Sequence, residues 1–474
     1  MPSLYSGLNV ALRAMLAHQQ AIQVIEHNVA NANTPGYRRQ EVVLKAGIPT
    51  YLSMFNNYGA GGEIGTGVLV DKVQRYSMDI FDARYRASVG DSKRWQLESD
   101  VLGQVESALA ETGTDGLVTK LDAFWNSWQT LSADPTNDSY RANVLEQATS
   151  LAKSINERSD TLIKLRTDQN SGIIQRVAEI NDLATRIADL NGEIVRVLST
   201  NEQPNDLKDQ RDLLTDRLAE LTGASVAQQT NGETIVSVNG HAIVTGHTAS
   251  QLVATSTSMS TTIAWDDGQS YTPTTGEMAA LINVRDVVIP GLQTGLDNLA
   301  YTLINSVNTI HNPPSTPTPP NPPYAAAGLP FFTPVASAAG AAGSIQVESS
   351  MSNLDNIMGA SAAYPGDGTI AREIANISQQ TQAGLAGQTI NNFYINQSSA
   401  LGLRIQTAQR DASHSGTMVD ALSTQRESYS GVNLDEEAAN LIQSQRAYQA
   451  AARLVNIVDE MLDRVINGMG LVGR

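Results

Sequence analysis

Both ends of this chain carry an apolar repeat of period seven, with almost all of the remaining sequence between them. Leu8, Met15, Ile22 and Val29 recur at heptad spacing near the start, and Leu4, Ala11, His18 and Ile25 form a companion series. Leu434, Leu441, Tyr448, Val455 and Leu462 do the same near the finish, reinforced by Ala451, Leu454, Val458, Met461 and Val465. A heptad stripe is narrow and sticky, and the element that covers it best is another helix. Helices over 3–30 and 434–467 are therefore expected to pair as a coiled coil. Their seams stay partly uncovered until neighbouring molecules arrive.

Ser3 is a suitable N-cap for the first helix, and its stop is marked more strongly. Asn28, Asn31 and Asn33 tolerate left-handed geometry, Pro35 forces Thr34 out of the helical region, and Gly36 can turn. Asn31, Asn33, Thr34, Gly36 and Tyr37 form either a simple helix stop or a fixed corner that also touches a neighbouring subunit. Residues 41–75 read as extended, with a glycine-rich bend from Gly59 to Gly67 and alternation at Val68, Val70 and Val73.

Helical spacing returns over 76–110, and a short aromatic helix surrounds Phe124-Trp125 and Trp128. No proline occurs between Pro135 and Pro204, and apolar residues keep helical spacing from Ile155 to Leu198. One helix over 142–199 would be about 87 Å long. Gly172 and Gly192 leave two stacked helices open as the alternative. A further helix covers 205–221. At Gly223 the composition changes: Arg285 is the only arginine or lysine between Arg217 and Arg372. Residues 224–275 are rich in Thr, Ser and Val, and Asn231-Gly232 and Asn239-Gly240 are hairpin signals. Helices follow over 276–310, 367–380 and 388–428, interrupted by a proline run at 312–323.

The fold class is thus mainly α with an inserted all-β lobe, on an elongated rod of long helices built from both chain ends. Three regions are expected: 1–40 plus 430–474 as a terminal coiled-coil assembly domain, 41–222 plus 276–429 as a long-helix bundle, and 223–275 as a β-rich insert, with 328–352 a candidate addition. Because the insert belongs to neither terminal seam, replacing 225–272 by a linker is expected to leave assembly intact.

Composition narrows the function. The 31 basic and 48 acidic residues leave a formal charge of −17, which disfavours nucleic acid and anionic membranes as partners. Cysteine is absent, so disulfides, thiolate metal sites and thiol nucleophiles are excluded. No run of apolar residues is long enough to span a bilayer, and the start does not read as a cleaved signal because Arg13 interrupts it. There is no phosphate loop, nucleophile elbow or zinc-binding helix. His18 falls on the apolar stripe and reads as a packed side chain. Asp435, Glu436 and Glu437 sit in the first turn of the last helix, where they favour its dipole. Asp266-Asp267 beside Gly268 reads as a turn. No catalytic, metal or cofactor-binding residue is assigned.

The stretch Asn31-Ala-Asn-Thr-Pro-Gly-Tyr37, after a helix opening Ser6-Gly-Leu8, resembles the N-terminal signature of bacterial flagellar axial proteins. Gln445-Arg-Ala-Tyr-Gln-Ala-Ala-Ala452 and Asp459-Glu-Met-Leu462 are similar to their shared C-terminal helix. Asn205–Leu214, Ser430–Leu441, Gly276–Leu281 continuing to Asp297, and Phe124–Pro135 narrow the resemblance to the first of the hook-associated families, the subunits at the hook–filament junction. The proline run stands where that family usually has an Asn/Gly-rich turn. The resemblance implies a non-catalytic subunit without a cofactor, outside the cell in the flagellum and exported through its secretion channel without a cleaved signal. Its implied partners are the hook protein, the next hook-associated junction protein, further copies of itself, the export apparatus, and an export chaperone at the C-terminal helix. A hook or rod subunit of the same lineage is the alternative.

Overall fold

In the computed structural model, residues 4–49, 65–109, 116–256, 260–312, 329–360 and 366–468 are described. Ser3, nearly all of the proline run and most of the glycine-rich bend fall outside that set. The chain divides into two units: 1–90 with 180–251 and 417–474, and 91–179 with 252–416.

The first unit holds both chain ends. Helix α1 (Leu4–Asn31) leads to strands β1 (Gln40–Ala46) and β2 (Val68–Arg75), an antiparallel pair with a register shift between Val43 and Leu44. The beginning of α2 (Asp79–Leu109) and the end of α4 (Asp138–Leu198) follow, then α5 (Asn205–Thr222). Strands β3 (Ser225–Gln228), β4 (Thr234–Val238), β5 (His241–Thr245) and β6 (Thr248–Ala249) make an antiparallel meander. Asn239 and Gly240, at φ of 51° and 85°, form the two-residue turn that the Asn-Gly signal implies. The end of α10 (Ile390–Ser430) and all of α11 (Leu434–Gly468) complete this unit.

The second unit contains α3 (Leu117–Ala133), the earlier part of α4, and the strand pair β7 (Leu252–Ser256) and β8 (Thr261–Trp265). Helices α6 (Gly276–Asn283) and α7 (Ile289–His311) are joined by a π-helical turn at Val284–Val288. Pro290 lies at the start of α7, where its ring displaces the carbonyl one turn earlier and widens the helix. Two short helices, α8 (Ala341–Ser344) and α9 (Thr369–Asn376), precede α10. The core is aromatic: Phe124, Trp128, Phe331 and Phe332 are fully buried, and Phe331 and Phe332 stand edge to face at 5.0 Å. His311 joins this cluster. Its Nε2 accepts from the Met358 amide at 2.9 Å, its Nδ1 lies 3.1 Å from the Leu329 carbonyl, and burial pushes its pKa down to about 4.

The protein is mainly helical with a β region inserted, as its patterning indicates. Helix α4 is a single helix of 61 residues. Neither Gly172 nor Gly192 breaks it, because Leu151, Ile155, Leu162, Ile173, Ile180, Ile187 and Ile194 keep one stripe buried along its length. The β region 223–275 carries two separate sheets, since β3–β6 pair among themselves and β7 pairs with β8. Asp266–Gly268 is a turn: Gly268 N–H donates to the Trp265 carbonyl, and the Gln269 amide donates to Asp267.

Candidate assembly interface

Helices α1 and α11 lie side by side and run antiparallel. Gly7, near the start of α1, faces Val458, whereas Asn28, near its end, bonds Glu437 at the start of α11. The apolar residues buried along them are Ala11, Ala17, Ile25, Ala451 and Val458. Ala11 and Ile25 belong to the companion series of α1, Ala451 and Val458 to the reinforcing set of α11, and Ala17 to neither series. Leu8, Met15, Ile22, Leu441, Tyr448, Val455 and Leu462 are half-buried, while Val29 and Leu434 are exposed. His18 is half-buried on the stripe. The Leu4 side chain lies outside the described set. Small residues at the closest approach let the helices draw together and turn the larger ones towards the flanks. The flanks also present Leu12, Leu16, Ile442, Leu454, Ile457 and Met461, each between 44% and 57% exposed.

The stop of α1 is a built corner. Thr34 N–H donates to the Asn31 carbonyl at 2.9 Å, Tyr37 N–H to the Thr34 carbonyl at 3.1 Å, and Thr34 Oγ1 to Asn31 Oδ1 at 3.2 Å. Gly36 takes φ +81°, and a Cβ there would lie 3.3 Å from Leu213 Cβ. Asn33 is exposed. Asn28 is fully buried and bonds both backbone groups of Gln40, donating to its carbonyl at 2.8 Å and accepting from its amide at 3.0 Å. Tyr37 donates to Asn28 Oδ1 at 2.8 Å and stands edge-on to His27. Burial and the charges of Asp206, Asp209 and Glu437 raise the Tyr37 pKa, so the hydroxyl keeps its proton.

Glu437 reaches into this corner from α11. Its carboxylate accepts from Asn28 Nδ2 at 3.0 Å and lies 2.8 Å from Arg39 Nε, with the side chain 2% exposed. The expected dipole role describes Asp435 and Glu436, which are exposed in the first turn, where Asn433 Oδ1 caps their amides. Glu437 does more, because it ties the two chain ends together.

Behind the corner lies a buried ionic network that the sequence reading does not anticipate. Arg38 grips Asp82 with two bonds of 2.7 Å and lies 3.4 Å from Asp212. Arg75 bridges Asp209 and Asp212 at 2.7 and 2.9 Å, and Arg86 bridges Asp212 and Asp216 at 3.1 and 2.6 Å. Arg426, from α10, reaches Asp216 at 2.6 Å and stacks over the Tyr85 ring at 3.9 Å. Burial works against the Asp212 charge, but Arg75, Arg38 and Arg86 hold its carboxyl well below the usual range. Burial prevails at Asp209, which is pushed up to about 6. The charges balance, and such a network fixes geometry more than it adds stability. One signal was available: Asp209, Asp212 and Asp216 have the i, i+3, i+7 spacing of one helix face.

A polar groove of about 810 Å³ opens beside the corner, lined by Asn33, Thr34, Gly36, Tyr37, Arg426 and Glu436 among others. Among the described residues no three His, Asp or Glu side chains are placed to hold a metal ion.

Comparison with known proteins follows the same division of the chain. The flagella basal body rod protein family matches residues 8–38, and the C-terminal family of the basal body rod FlgEFG proteins matches 418–468. Chain ends of this kind define a flagellar axial subunit. The helical domain of flagellar hook-associated protein FlgK matches 102–314. Flagellar hook-associated protein 1 of Bacillus subtilis is 30% identical, with all of both chains covered. That of Escherichia coli is 25% identical over 98% of this chain and 99% of its own. The chain belongs to the flagellar hook-associated protein 1 (FlgK) family and is a structural subunit of the bacterial flagellum. The flagellar hook junction protein FlgK of Burkholderia pseudomallei shares its fold, with a TM-score of 0.60 at 15% identity over 74% of this chain and all of that one. Family membership implies association with other axial proteins of the flagellum. No helix among the described residues is long and apolar enough to cross a membrane.

Proposed function

We propose that this chain forms the junction between hook and filament, as a ring of like subunits seated on the hook protein and followed by the next hook-associated protein. The observation that carries the reading is the apolar row left exposed on the paired terminal helices. Leu12, Leu16, Leu454 and Ile457 are large side chains on helices that already have one partner each. Burying such a side chain is worth about 1.5–3 kcal/mol, so neighbouring subunits gain by covering them. Leu8, Met15, Ile22, Leu441, Tyr448, Val455 and Leu462 then form the flanks of the interface, with Leu4, Val29 and Leu434 towards its ends. The corner of Asn31, Asn33, Thr34, Gly36 and Tyr37 holds the helix pair at a fixed angle to the chain that follows. In this role the protein has no catalytic step. It reaches its site through the flagellar export apparatus, accompanied by a chaperone that covers the C-terminal helix.

Electron microscopy of cells lacking the chain tests this. Hooks without filaments, with flagellin lost to the medium, are the expected result, and normal filaments would contradict it. The rod-family matches at both ends favour a second reading, a rod or hook subunit; cells would then lack hooks altogether.

A further inference from the structure

We propose that neighbouring copies of this chain pack through the second unit, with the outer face of α10 of one copy lying along one flank of α4 of the next. Helix α4 shows solvent two different rows in that unit. In one, Lys153, Glu157, Lys164 and Asp168 are exposed, as on any solvated helix. In the other, Thr149, Ile163, Thr167, Ile174 and Ala178 are exposed and fall in line at helical spacing, with Asp160 the one charged residue among them. Ile163 and Ile174 are 39% and 40% exposed and stand about three turns apart. The threonine hydroxyls of this row ask nothing of water. Thr149 and Thr167 donate to the carbonyls of Leu145 and Ile163, one turn earlier, at 2.7 and 2.9 Å. Another surface can therefore cover the row without stranding those donors.

The same unit carries a matching face on a different helix. From Thr389 to Gln409 the only charged residue is Arg404. Tyr394, Leu401 and Ile405 are buried on one side of α10, and on the opposite side Ile395, Ser399, Leu403 and Gln406 are exposed, Leu403 at 66%. Depletion of charge around large apolar anchors marks the centre of a protein interface more than a solvated face. The edges are complementary, since the charges of α10 as far as Arg410 are both basic, whereas the charge in the α4 row is Asp160. Three observations favour a second copy as the occupant. The α4 row runs for about 44 Å, which calls for a long helix, and α10 is one. The two faces lie on different helices of one chain, so each copy offers one to each neighbour, and a head-to-tail contact of this kind closes rings. Helix α10 also continues into residues 418–468, the segment that matches the C-terminal axial family. A helix face of this length buries roughly 900 Å² counting both sides, below the roughly 1,200–2,000 Å² of a self-sufficient interface. The contact therefore forms in the assembled ring and not between isolated chains. This inference deepens the proposed junction role and rests on it.

The absence of cysteine allows a direct test in assembled flagella. Cells make only a doubly substituted full chain, Ile163→Cys or Ile174→Cys combined with Ile395→Cys, Ser399→Cys or Leu403→Cys. Purified hook–filament particles are treated with a bismaleimide, and the chain is followed on a gel by antibody. Each of these positions is exposed, so the variants are expected to fold and to build filaments. At least one combination is expected to link two or more copies, at least about tenfold above either of its single-cysteine variants. Absence of linked copies in every combination, on filaments of normal appearance, would overturn the proposal. So would equal linkage by Ile163→Cys alone, which would set α4 against α4. Both results are read on filaments that have formed, so they leave the deletion test untouched. Normal filaments in cells lacking the chain would contradict the junction role instead, and this contact with it.

Discussion

At Gly36 the backbone takes φ +81° with Leu213 directly against the missing Cβ. Gly36→Val meets both a conformational and a steric penalty, about 1–3 kcal/mol together, and should lower the melting temperature by several degrees. An unchanged melting temperature would mean that the corner readjusts freely. His311 makes a prediction in pH. Its folded pKa, about 4, lies below the unfolded value of about 6.5, so the unfolded chain binds the extra proton between them. That contribution is complete above pH 6.5 and lost as pH falls to 4, a change of about 3 kcal/mol at most. Asp209 has the opposite sign: its raised pKa, about 6, makes stability fall as pH rises from about 4 to 6. Urea denaturation across pH 4–7 should show a flatter acid-side loss in His311→Gln. An identical slope would place the titration elsewhere. The corner was legible residue by residue because Asn, Pro and Gly each carry a local conformational rule. The Arg–Asp network was not. Its partners lie between 44 and 210 positions apart, and an aspartate face on a helix reads equally well as a solvated surface.

Among the elements, the four-stranded meander is tied to the helices more closely than alternation alone indicates. The expectation for residues 225–272 concerns assembly; the contacts of β3–β6 bear on stability. Asn191 makes the main link. It is fully buried on α4, donates to the carbonyls of Thr234 and Gly246 at 2.9 and 2.8 Å, and accepts from Thr234 N–H at 3.1 Å. Arg211 on α5, also buried, donates to the Gly232 carbonyl at 2.8 Å and to Asn191 Oδ1 at 2.9 Å. The meander therefore supplies backbone partners to polar groups inside the helical layer. Replacing residues 225–249 by a Gly/Ser linker should orphan those groups at about 1–3 kcal/mol each and lower the urea midpoint of the full chain. A midpoint equal to that of the intact protein would mean that these bonds add nothing to stability. The strands and their Asn-Gly turns were legible from alternation. Their attachment was not, because a single asparagine on a long helix carries no sequence mark of what it will bond.

Across the molecule, the heptad ends identify which helices meet, and on α1 two rows share the stripe. The structure buries Ala11, Ala17 and Ile25 and leaves Leu8, Met15 and Ile22 half-buried, because the small residues permit a closer approach than Leu and Met. Packing decides that choice, and both rows satisfy the same period. The consequence is a helix pair that is closed on one side and apolar on its flanks, as a subunit that assembles through its ends requires. The double substitution Leu12→Glu with Ile457→Glu tests this most directly, because both side chains are half exposed and face away from the buried seam. Surface changes of this kind shift stability by only about 0.5 kcal/mol, so melting of the isolated chain should be unchanged. Cells carrying only this variant should secrete it and yet build hooks without filaments. Normal filaments on those cells would contradict the account.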